Sequence, residues 1–201
     1  MTWICIFGDS ISQGHFDTER TGWVARLQLD LWKKDTCIGN HSVSGGTTIE
    51  ALKIMKPIFR VEWPDLVIFA LGDNDSRYTE TTKNNFTPFT DFKANIKKLI
   101  KIAKTQTSKI VFVGPTPVDE SKTNPIPWET TEYYRNKDGK KYSEATKSIC
   151  SDHKIPFLDI HKLWLKTDYK KLLEDGLHPN TEGHKLLYKQ ISAFLKANKL
   201  I

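Results

Sequence analysis

Hydrophobic residues along the chain fall into two alternating patterns. Short runs without polar interruption predict strands that are covered on both faces, and the clearest run covers residues 65–71. Apolar residues spaced three and four positions apart predict helices with one buried face. The predicted strands cover residues 3–7, 36–43, 65–71, 110–113 and 155–160.

Residues that start and end helices separate these strands. Thr47 and Glu50 match a capping box, so a helix is predicted to begin after Gly46 and to end before Pro57. Thr87 is predicted to cap another helix over residues 88–103, with proline at its first position. The remaining predicted helices cover residues 23–31 and 142–151 and the segment that follows a cap at Asn180 or Thr181.

The alternation of strands and helices predicts a parallel sheet with helices on both faces. In such sheets ligands bind beyond the carboxyl ends of the strands. The segments expected at that edge are Gly8-Asp9-Ser10, Ser44-Gly45-Gly46, Gly72-Asp73-Asn74-Asp75, Gly114-Pro115 and the residues after Asp159.

Length and composition are typical of one globular domain. The chain has 201 residues, of which 38% are hydrophobic, enough for a packed core. No run approaches the ~18 apolar residues of a membrane-spanning helix. The apolar run near Met1 is too short for a secretion signal. We therefore expect a cytoplasmic protein that does not insert stably into membranes.

The chain is basic, with 30 Lys and Arg against 24 Asp and Glu and a net charge of +6. Such a balance is compatible with nucleic-acid binding. The lysines, however, are spread over the whole chain and form no basic block interleaved with aromatic residues. This distribution favours a solvated basic surface, and no nucleic-acid partner is expected.

The three cysteines are Cys5, Cys37 and Cys150. Their odd number and wide spacing favour neither a disulfide framework nor a zinc site. Cys5 and Cys37 lie in apolar runs and are predicted to be small core residues. The sequence also contains no phosphate-binding loop and no metal-ligand motif. We expect no cofactor and no metal.

Ser10 lies in a Gly-Asp-Ser turn after the first predicted strand. A serine hydroxyl becomes nucleophilic when a base takes its proton, commonly a histidine oriented by a carboxylate. Asp175 precedes His178 by three residues, a spacing that lets it contact Nδ1 and leaves Nε2 free for the serine. Two alternatives stay open here, Ser44 as nucleophile and Asp159 as carboxylate.

The other histidines have no carboxylate at a convincing sequence spacing. They are therefore predicted to be structural or solvated. They are His15, His41, His153, His161 and His184.

Acyl transfer also needs hydrogen-bond donors for the negative charge that develops on the substrate oxygen. Gly45 offers a backbone amide beside a helix start, and Asn74 offers a side-chain amide after the third strand. The backbone amide of Ser10 is a third candidate. A parallel sheet would bring these positions to one edge.

Four sequence blocks together resemble the GDSL, or SGNH, hydrolase family. They are Phe7-Gly8-Asp9-Ser10-Ile11-Ser12-Gln13-Gly14, Asn40-His41-Ser42-Val43-Ser44-Gly45, Gly72-Asp73-Asn74-Asp75 and Asp175-Gly176-Leu177-His178-Pro179. Their order and spacing match the family over nearly the whole chain. The resemblance implies one hydrolase domain over residues 1–201, with a three-layer α/β/α sandwich around a mostly parallel, flavodoxin-like sheet.

The resemblance also implies a role for each matching residue. Ser10 would be the nucleophile, His178 the base and Asp175 its orienting carboxylate. Gly45, Asn74 and the Ser10 amide would be the oxyanion donors. Asp73 departs from the family pattern, since an uncharged residue is commoner there, and its carboxylate would repel the developing charge unless it points away.

The resemblance implies a carboxylic ester hydrolase that acts on a small-molecule ester. Members of the family accept short esters, lysophospholipids, thioesters and acetylated sugars, so the shared blocks define only the chemistry. The first block and Pro115-Thr116-Pro117 resemble the isoamyl-acetate-hydrolysing branch, which favours short- to medium-chain acyl esters. The loop over residues 115–137 is either a pocket wall or a surface loop. A non-catalytic binding module is the alternative from a different class.

Overall fold

The computed structural model describes residues 1–32 and 35–201. Its strands are short and lie mostly between helices. In chain order they are β1 (Thr2–Gly8), β2 (Thr36–Asn40), β3 (Leu66–Ala70), β4 (Tyr78–Thr79), β5 (Asn84–Asn85), β6 (Ile110–Val113), β7 (Glu132–Tyr133) and β8 (Phe157–Leu158).

The helices range from single turns to segments of 17 residues. They are α1 (Ser10–Gln13), α2 (Gly22–Leu31), α3 (Thr48–Ile58), α4 (Asp73–Ser76), α5 (Phe89–Ala103), α6 (Glu120–Thr123), α7 (Asn136–Asp152), α8 (Ile160–Trp164) and α9 (Thr181–Ala197). A short 3-10 helix covers Tyr169–Leu172.

Five strands form the main sheet in the order β2-β1-β3-β6-β8, and every neighbouring pair is parallel. Because the crossing connections contain helices, both faces of the sheet are covered. This order is the flavodoxin-like arrangement of doubly wound sheets. The predicted fold class is confirmed.

The two faces of β1 enter different hydrophobic clusters. Cys5 and Phe7 pack with residues of α3, α5 and α7, whereas Ile4 and Ile6 pack with residues of α2 and α9. This separation follows from the two-residue side-chain period of a strand. All four side chains are fully buried, which explains why the sequence is continuously apolar there.

β2 and β8 end two or more residues earlier than predicted. β2 ends at Asn40, although the amides of His41 and Val43 still donate to the carbonyls of Ile6 and Gly8. β8 contains only Phe157–Leu158, because the carboxylate of Asp159 accepts from the Lys162 amide and starts α8. Isolated apolar residues, Val43 and Ile160, follow the two strands, so hydrophobicity alone overestimates the strand length.

Two helices are longer than predicted. α3 continues through Pro57 to Ile58, because a proline in the last turn removes only one backbone donor while Met55 stays buried in the core. α7 begins at Asn136, six residues before the predicted start at Tyr142. Its first turns are polar and show no apolar stripe, so the hydrophobic pattern does not reveal them.

Cys37 also differs from its prediction, because it is only partly buried. It lies on β2, at the edge of the main sheet, where one side of the strand has no neighbour. Cys5, on the neighbouring inner strand, is fully buried as predicted.

A second, antiparallel sheet was not predicted. It has the order β5-β4-β7 and uses two-residue strands that are too short to show alternation. β7 lies in the loop over residues 115–137, where Val118, Ile126 and Tyr134 form a small buried cluster with Leu177. This part of the loop is therefore packed beside His178, whereas Trp128 is 60% exposed.

The start of α3 has the predicted capping box. The Thr47 side chain accepts from the Ile49 amide at 3.1 Å, and Glu50 accepts from the Thr47 amide at 3.1 Å. Thr47 is fully buried, so water cannot replace its contact with the helix terminus.

We expect Thr47→Val to lower the free energy of unfolding by about 1 kcal/mol, because it keeps the shape but removes the capping oxygen. Thr47→Ser keeps the oxygen and is the matched control. Urea unfolding of the three proteins measures the difference. Equal stability of the valine and serine variants would contradict the contribution of this cap.

Candidate active site

Ser10 is positioned by the sharp transition from β1 to α1. The strand ends at Gly8, and Asp9 caps the helix by accepting from the Ile11 amide at 2.9 Å. Ser10 is then the first helical residue, and 6% of its surface is exposed. The turn fixes the serine backbone while its hydroxyl faces the C-terminal part of the chain.

His178 lies against this serine. Its Nε2 atom is 2.9 Å from Ser10 Oγ, and its Nδ1 atom is 2.7 Å from Asp175 Oδ2. The two ring nitrogens therefore link the hydroxyl to the carboxylate in one hydrogen-bonded chain. With Nδ1–H donating to Asp175, Nε2 is free to accept the serine proton.

Asp175 is held by its own turn as well as by the imidazole. Its Oδ1 atom accepts from the amides of Leu177 and His178 at 2.9 and 2.8 Å. Burial raises the pKa of Asp175, but the bonds from His178 and the Leu177 amide outweigh it, so the net pKa is below the ordinary value. The carboxylate is therefore ionised where it faces the ring.

Two side chains from the segment after α1 flank the His178 ring. The His15 ring stacks on it with centroids 5.7 Å apart, and the Phe16 ring lies at 5.4 Å. Burial and the neighbouring His178 lower the pKa of His15. His184 holds this segment, since its Nε2 lies 2.9 Å from the His15 carbonyl oxygen.

The turn that contains Gly45 rests directly on the end of β1. The Val43 amide donates to the Gly8 carbonyl at 3.0 Å, and the Gly46 amide donates to Val43 at 2.7 Å. Gly45 has φ +70, a left-handed conformation that glycine adopts without strain. A Cβ at Gly45 would meet no heavy atom within 4 Å, so this backbone borders open space.

Asn74 lies on the other side of the same turn. Its Nδ2 atom donates to the Gly46 carbonyl at 3.2 Å and approaches Asp9 Oδ2 at 3.5 Å. Its Oδ1 atom accepts from the Tyr134 hydroxyl at 2.7 Å. This last bond turns the amide nitrogen of Asn74 towards Gly46 and Asp9, beside Ser10.

Tyr134 lies in the loop over residues 115–137, which the sequence presents as either a pocket wall or a surface loop. It is 5% exposed and reaches Asn74 from 60 positions away along the chain. No local spacing predicts such a contact. The only sequence signal was a tyrosine in a long loop after a strand end.

Three carboxyl groups are buried beneath the site, and burial is the main cause of the raised pKa of each. It raises the pKa of Asp75 to about 6, although the Thr48 amide and hydroxyl both donate to it. It also raises the pKa of Asp9. For Asp73 the effect is larger, because Asp9 adds a like charge nearby.

Asp73 points away from the open side of the site. Asp73 is buried and lines a small cavity together with Ser12 and Thr116, and the Thr116 amide donates to its carboxyl group. With its pKa raised well above the ordinary 3.8, the group holds its proton at a pH where an exposed carboxylate is charged. The repulsion expected beside Asn74 is therefore removed in the protonated form.

The structure separates the candidates that the sequence left open. Asp175 contacts His178, whereas Asp159 caps α8 and lies 3.7 Å from Lys147. Ser10 contacts His178 Nε2, whereas Ser44 is exposed in the turn before Gly45.

One of the other histidines has a contact that its sequence spacing does not reveal. His41 does have a carboxylate partner, since its Nε2 lies 2.8 Å from Glu62 Oε2. The two residues are 21 positions apart along the chain, one before and one after α3, so sequence proximity does not reveal the pair.

A model of the GDSL-like lipase/acylhydrolase family matches residues 6–186. The chain belongs to this family. The predicted enzyme class, a carboxylic ester hydrolase, is confirmed for this GDSL-like acylhydrolase.

Known relatives match the GDSL-like acylhydrolase over most of its length. Isoamyl acetate-hydrolyzing esterase of Saccharomyces cerevisiae is 26% identical, over 92% of this chain and 82% of the yeast protein. Thioesterase 1/protease 1/lysophospholipase L1 of Escherichia coli K12 is 23% identical, over 90% of this chain and 76% of its own.

A solved structure shows the same fold as the GDSL-like acylhydrolase. The lipase/acylhydrolase from Enterococcus faecalis superposes with a TM-score of 0.80 at 22% identity, covering 98% of this chain and 97% of that one. Within residues 1–32 and 35–201, no helix has both the length and the apolar character needed to cross a membrane.

We expect Asp73→Asn to gain stability relative to the wild type as pH rises. A raised native pKa means that the folded wild type keeps a proton that the unfolded chain releases above about pH 4, so rising pH favours unfolding. The neutral asparagine removes this effect. Relative to the wild type, the free energy of unfolding of Asp73→Asn rises by up to about 1.4 kcal/mol for each pH unit in which the native Asp73 carboxyl stays protonated.

Urea unfolding at about pH 5 and about pH 7 measures the change for both proteins. The exposed Asp152→Asn variant controls for the loss of one negative charge. A stability difference that stays constant between the two pH values would contradict a protonated Asp73.

Proposed function

We propose that this acylhydrolase cleaves carboxylic esters through an acyl-enzyme on Ser10, with His178 as general base and Asp175 orienting the imidazole. The observation that carries the proposal is the continuous hydrogen-bonded chain from Ser10 Oγ through both ring nitrogens to Asp175. A serine hydroxyl needs such a base in order to attack a carbonyl carbon near neutral pH.

In the first step, Nε2 of His178 takes the Ser10 proton while Oγ bonds to the ester carbonyl carbon. The bond from that carbon to the alcohol oxygen then breaks, and the imidazolium donates its proton to the departing alcohol. In the second step, His178 deprotonates a water molecule, which attacks the acyl-enzyme. The proton returns to Ser10 as the carboxylic acid leaves.

The amides of Ser10 and Gly45 and the Asn74 side chain are the proposed donors to the oxyanion. Gly45 borders open space. The Asn74 side chain donates to the carbonyl of Gly46, the next residue of the same turn. A substrate oxygen at this position competes with the 3.5 Å contact between Asn74 and Asp9, which is long for a hydrogen bond. One hydrogen of the amide is thus available to the oxyanion.

Short- to medium-chain acyl esters are the proposed substrates. Two apolar side chains are partly exposed next to the machinery, Phe16 at 48% beside the His178 ring and Val43 at 38% beside the Gly45 turn. Both offer contact to an alkyl or small aromatic group. The name of the yeast relative, which specifies isoamyl acetate, supports a small ester.

Thioesters or lysophospholipids are the second candidate substrates. The observation in their favour is the name of the Escherichia coli relative, thioesterase 1/protease 1/lysophospholipase L1. The same acyl-enzyme chemistry serves both candidates, since only the leaving group differs.

The proposed partner is a small ester alone, without nucleic acid, and the proposed location is the cytoplasm. The three cysteines support this location because they are free thiols in the structure. Extracellular proteins more often use their cysteines in disulfides.

We expect Ser10→Ala to lower kcat/KM for p-nitrophenyl esters on the order of 10⁴-fold or more, because no other group forms the acyl-enzyme. Ser44→Ala is the matched control and keeps wild-type activity. The measurement is hydrolysis over a series from acetyl to decanoyl esters. The chain length of highest activity reports the size of the acyl site.

Retained activity in Ser10→Ala together with lost activity in Ser44→Ala would reassign the nucleophile. If the wild type hydrolyses acyl-thioesters or lysophospholipids far faster than any ester of the series, the second substrate candidate replaces the first. A wild type that cleaves none of these substrates and is not labelled at Ser10 by a phosphonate would favour the binding module.

We expect Asn74→Ala to lower kcat on the order of 100- to 1,000-fold with little change in KM, because the amide stabilises charge that develops after binding. Tyr134→Phe removes the bond that holds this amide and lowers kcat roughly 3- to 10-fold. Tyr133→Phe is the control, since its hydroxyl contacts Glu80 instead. Unchanged kcat in Asn74→Ala would remove this donor from the mechanism.

A further inference from the structure

A second cluster of reactive side chains lies on the face of the sheet that α3 covers. Cys5, His41 and Glu62 each direct one possible ligand atom to a common point, and these three atoms lie within 4.8 Å of one another. None of the three residues takes part in the proposed ester hydrolysis. They are 36 and 21 positions apart along the chain, so the cluster exists only in the folded protein.

Strand register creates the space for this cluster. The parallel pairing of β1 and β2 sets Cys5 opposite Gly39, and His41 follows Gly39 by two residues on the same face. A Cβ on Gly39 would lie 2.7 Å from His41 Nε2 and 2.8 Å from Glu62 Oε2. Only glycine therefore allows both ligand atoms to approach beside Cys5.

The Glu62 carboxylate is the centre of the cluster. Its Oε2 atom lies 2.8 Å from His41 Nε2 and 3.2 Å from Cys5 Sγ. The Trp3 indole N–H donates to the same oxygen at 2.9 Å. Three groups thus converge on one carboxylate oxygen, which brings a thiol, an imidazole and a carboxylate into direct contact.

We propose that Cys5, His41 and Glu62 form a binding site for a first-row divalent cation of the Zn²⁺ type. A thiolate, an imidazole and a carboxylate are ligands that Zn²⁺ and Co²⁺ accept, whereas Mg²⁺ and Ca²⁺ require oxygen ligands. Three protein ligands leave one position of a tetrahedron for water. The His41 and Glu62 side chains are 18% and 21% exposed, so solvent reaches the cluster from their side.

Cation binding would lengthen the two contacts that Glu62 makes with His41 and Cys5. Bond lengths of about 2.0–2.3 Å in a tetrahedral zinc site place neighbouring ligand atoms roughly 3.4–3.6 Å apart. The present contacts of Glu62 with His41 and Cys5 are shorter by a few tenths of an ångström. Rotation of the partly exposed Glu62 side chain supplies this shift without moving the strands.

Neighbouring aromatic residues already orient the ligands. The Trp3 indole donates to the Glu62 carboxylate, and the Phe7 ring lies 5.5 Å from the His41 ring. Outer-shell hydrogen bonds of this kind fix the orientation of metal ligands. On binding, Cys5 S–H releases its proton to solvent, and the resulting thiolate forms the sulfur–metal bond.

The test is a Co²⁺ titration of the full chain after treatment with a chelator and a phosphine reductant. We expect one Co²⁺ per chain and a thiolate-to-cobalt charge-transfer band in the near ultraviolet, which Zn²⁺ abolishes by displacement. The melting temperature rises with Zn²⁺ concentration, because the cation binds the folded state.

Variants assign the ligands. Cys5→Ser abolishes the charge-transfer band, whereas Cys37→Ser and Cys150→Ser keep it. Trp3→Phe removes an outer-shell partner and is expected to weaken binding ~10- to 100-fold. His41→Gln and Glu62→Gln remove ligands, so each weakens binding by more than Trp3→Phe does. Circular dichroism checks the fold of every variant independently of esterase activity. If Cys5→Ser does not fold, the cobalt affinities of His41→Gln and Glu62→Gln decide the test.

Two results would overturn the proposal. A wild type without a thiolate-to-cobalt band has only a hydrogen-bonded cluster around Glu62. A band that survives the loss of both His41 and Glu62 belongs to a thiol elsewhere in the chain.

Discussion

Parallel pairing of β1 with β2 on one side and β3 on the other is the interaction on which the rest of the structure depends. The register aligns Ile6 with Asn40 and with Ile68, so the three strands end at one edge of the sheet. The segments that follow them carry Ser10, Gly45 and Asn74. One hydrogen bond then joins Ser10 to His178, 168 positions away, and completes the site.

Buried acids support this site without opposing its chemistry. Asp9 caps the helix that holds Ser10, and Asp75 binds the start of α3 through Thr48. Asp73 lies near both of these carboxyl groups, and its burial favours the neutral form. The proposed oxyanion donors therefore lie beside carboxyl groups whose charge is either stabilised by hydrogen bonds or suppressed by desolvation.

The same strand register has a second consequence at the middle of β1. Setting Cys5 opposite Gly39 leaves a gap that His41 and Glu62 enter, which gathers a thiol, an imidazole and a carboxylate on the face away from α2 and α9. One strand thus positions the proposed nucleophile at its end and the proposed cation site at its centre. The two are separated along the strand, so their functions are testable independently.

The sequence by itself determined the alternation of strands and helices, the capping box at Thr47 and the blocks around Ser10, Asn74 and His178. These features depend on short-range periodicity and on residues a few positions apart. The tertiary structure decided the ends of β2 and β8, the small second sheet and the choice of Asp175 over Asp159 as the contact of His178. It alone also revealed the bond from Tyr134 to Asn74, the inward position of Asp73 and the pairing of His41 with Glu62. Such contacts join residues tens of positions apart, and strand register and burial, which no local pattern encodes, determine which side chains meet.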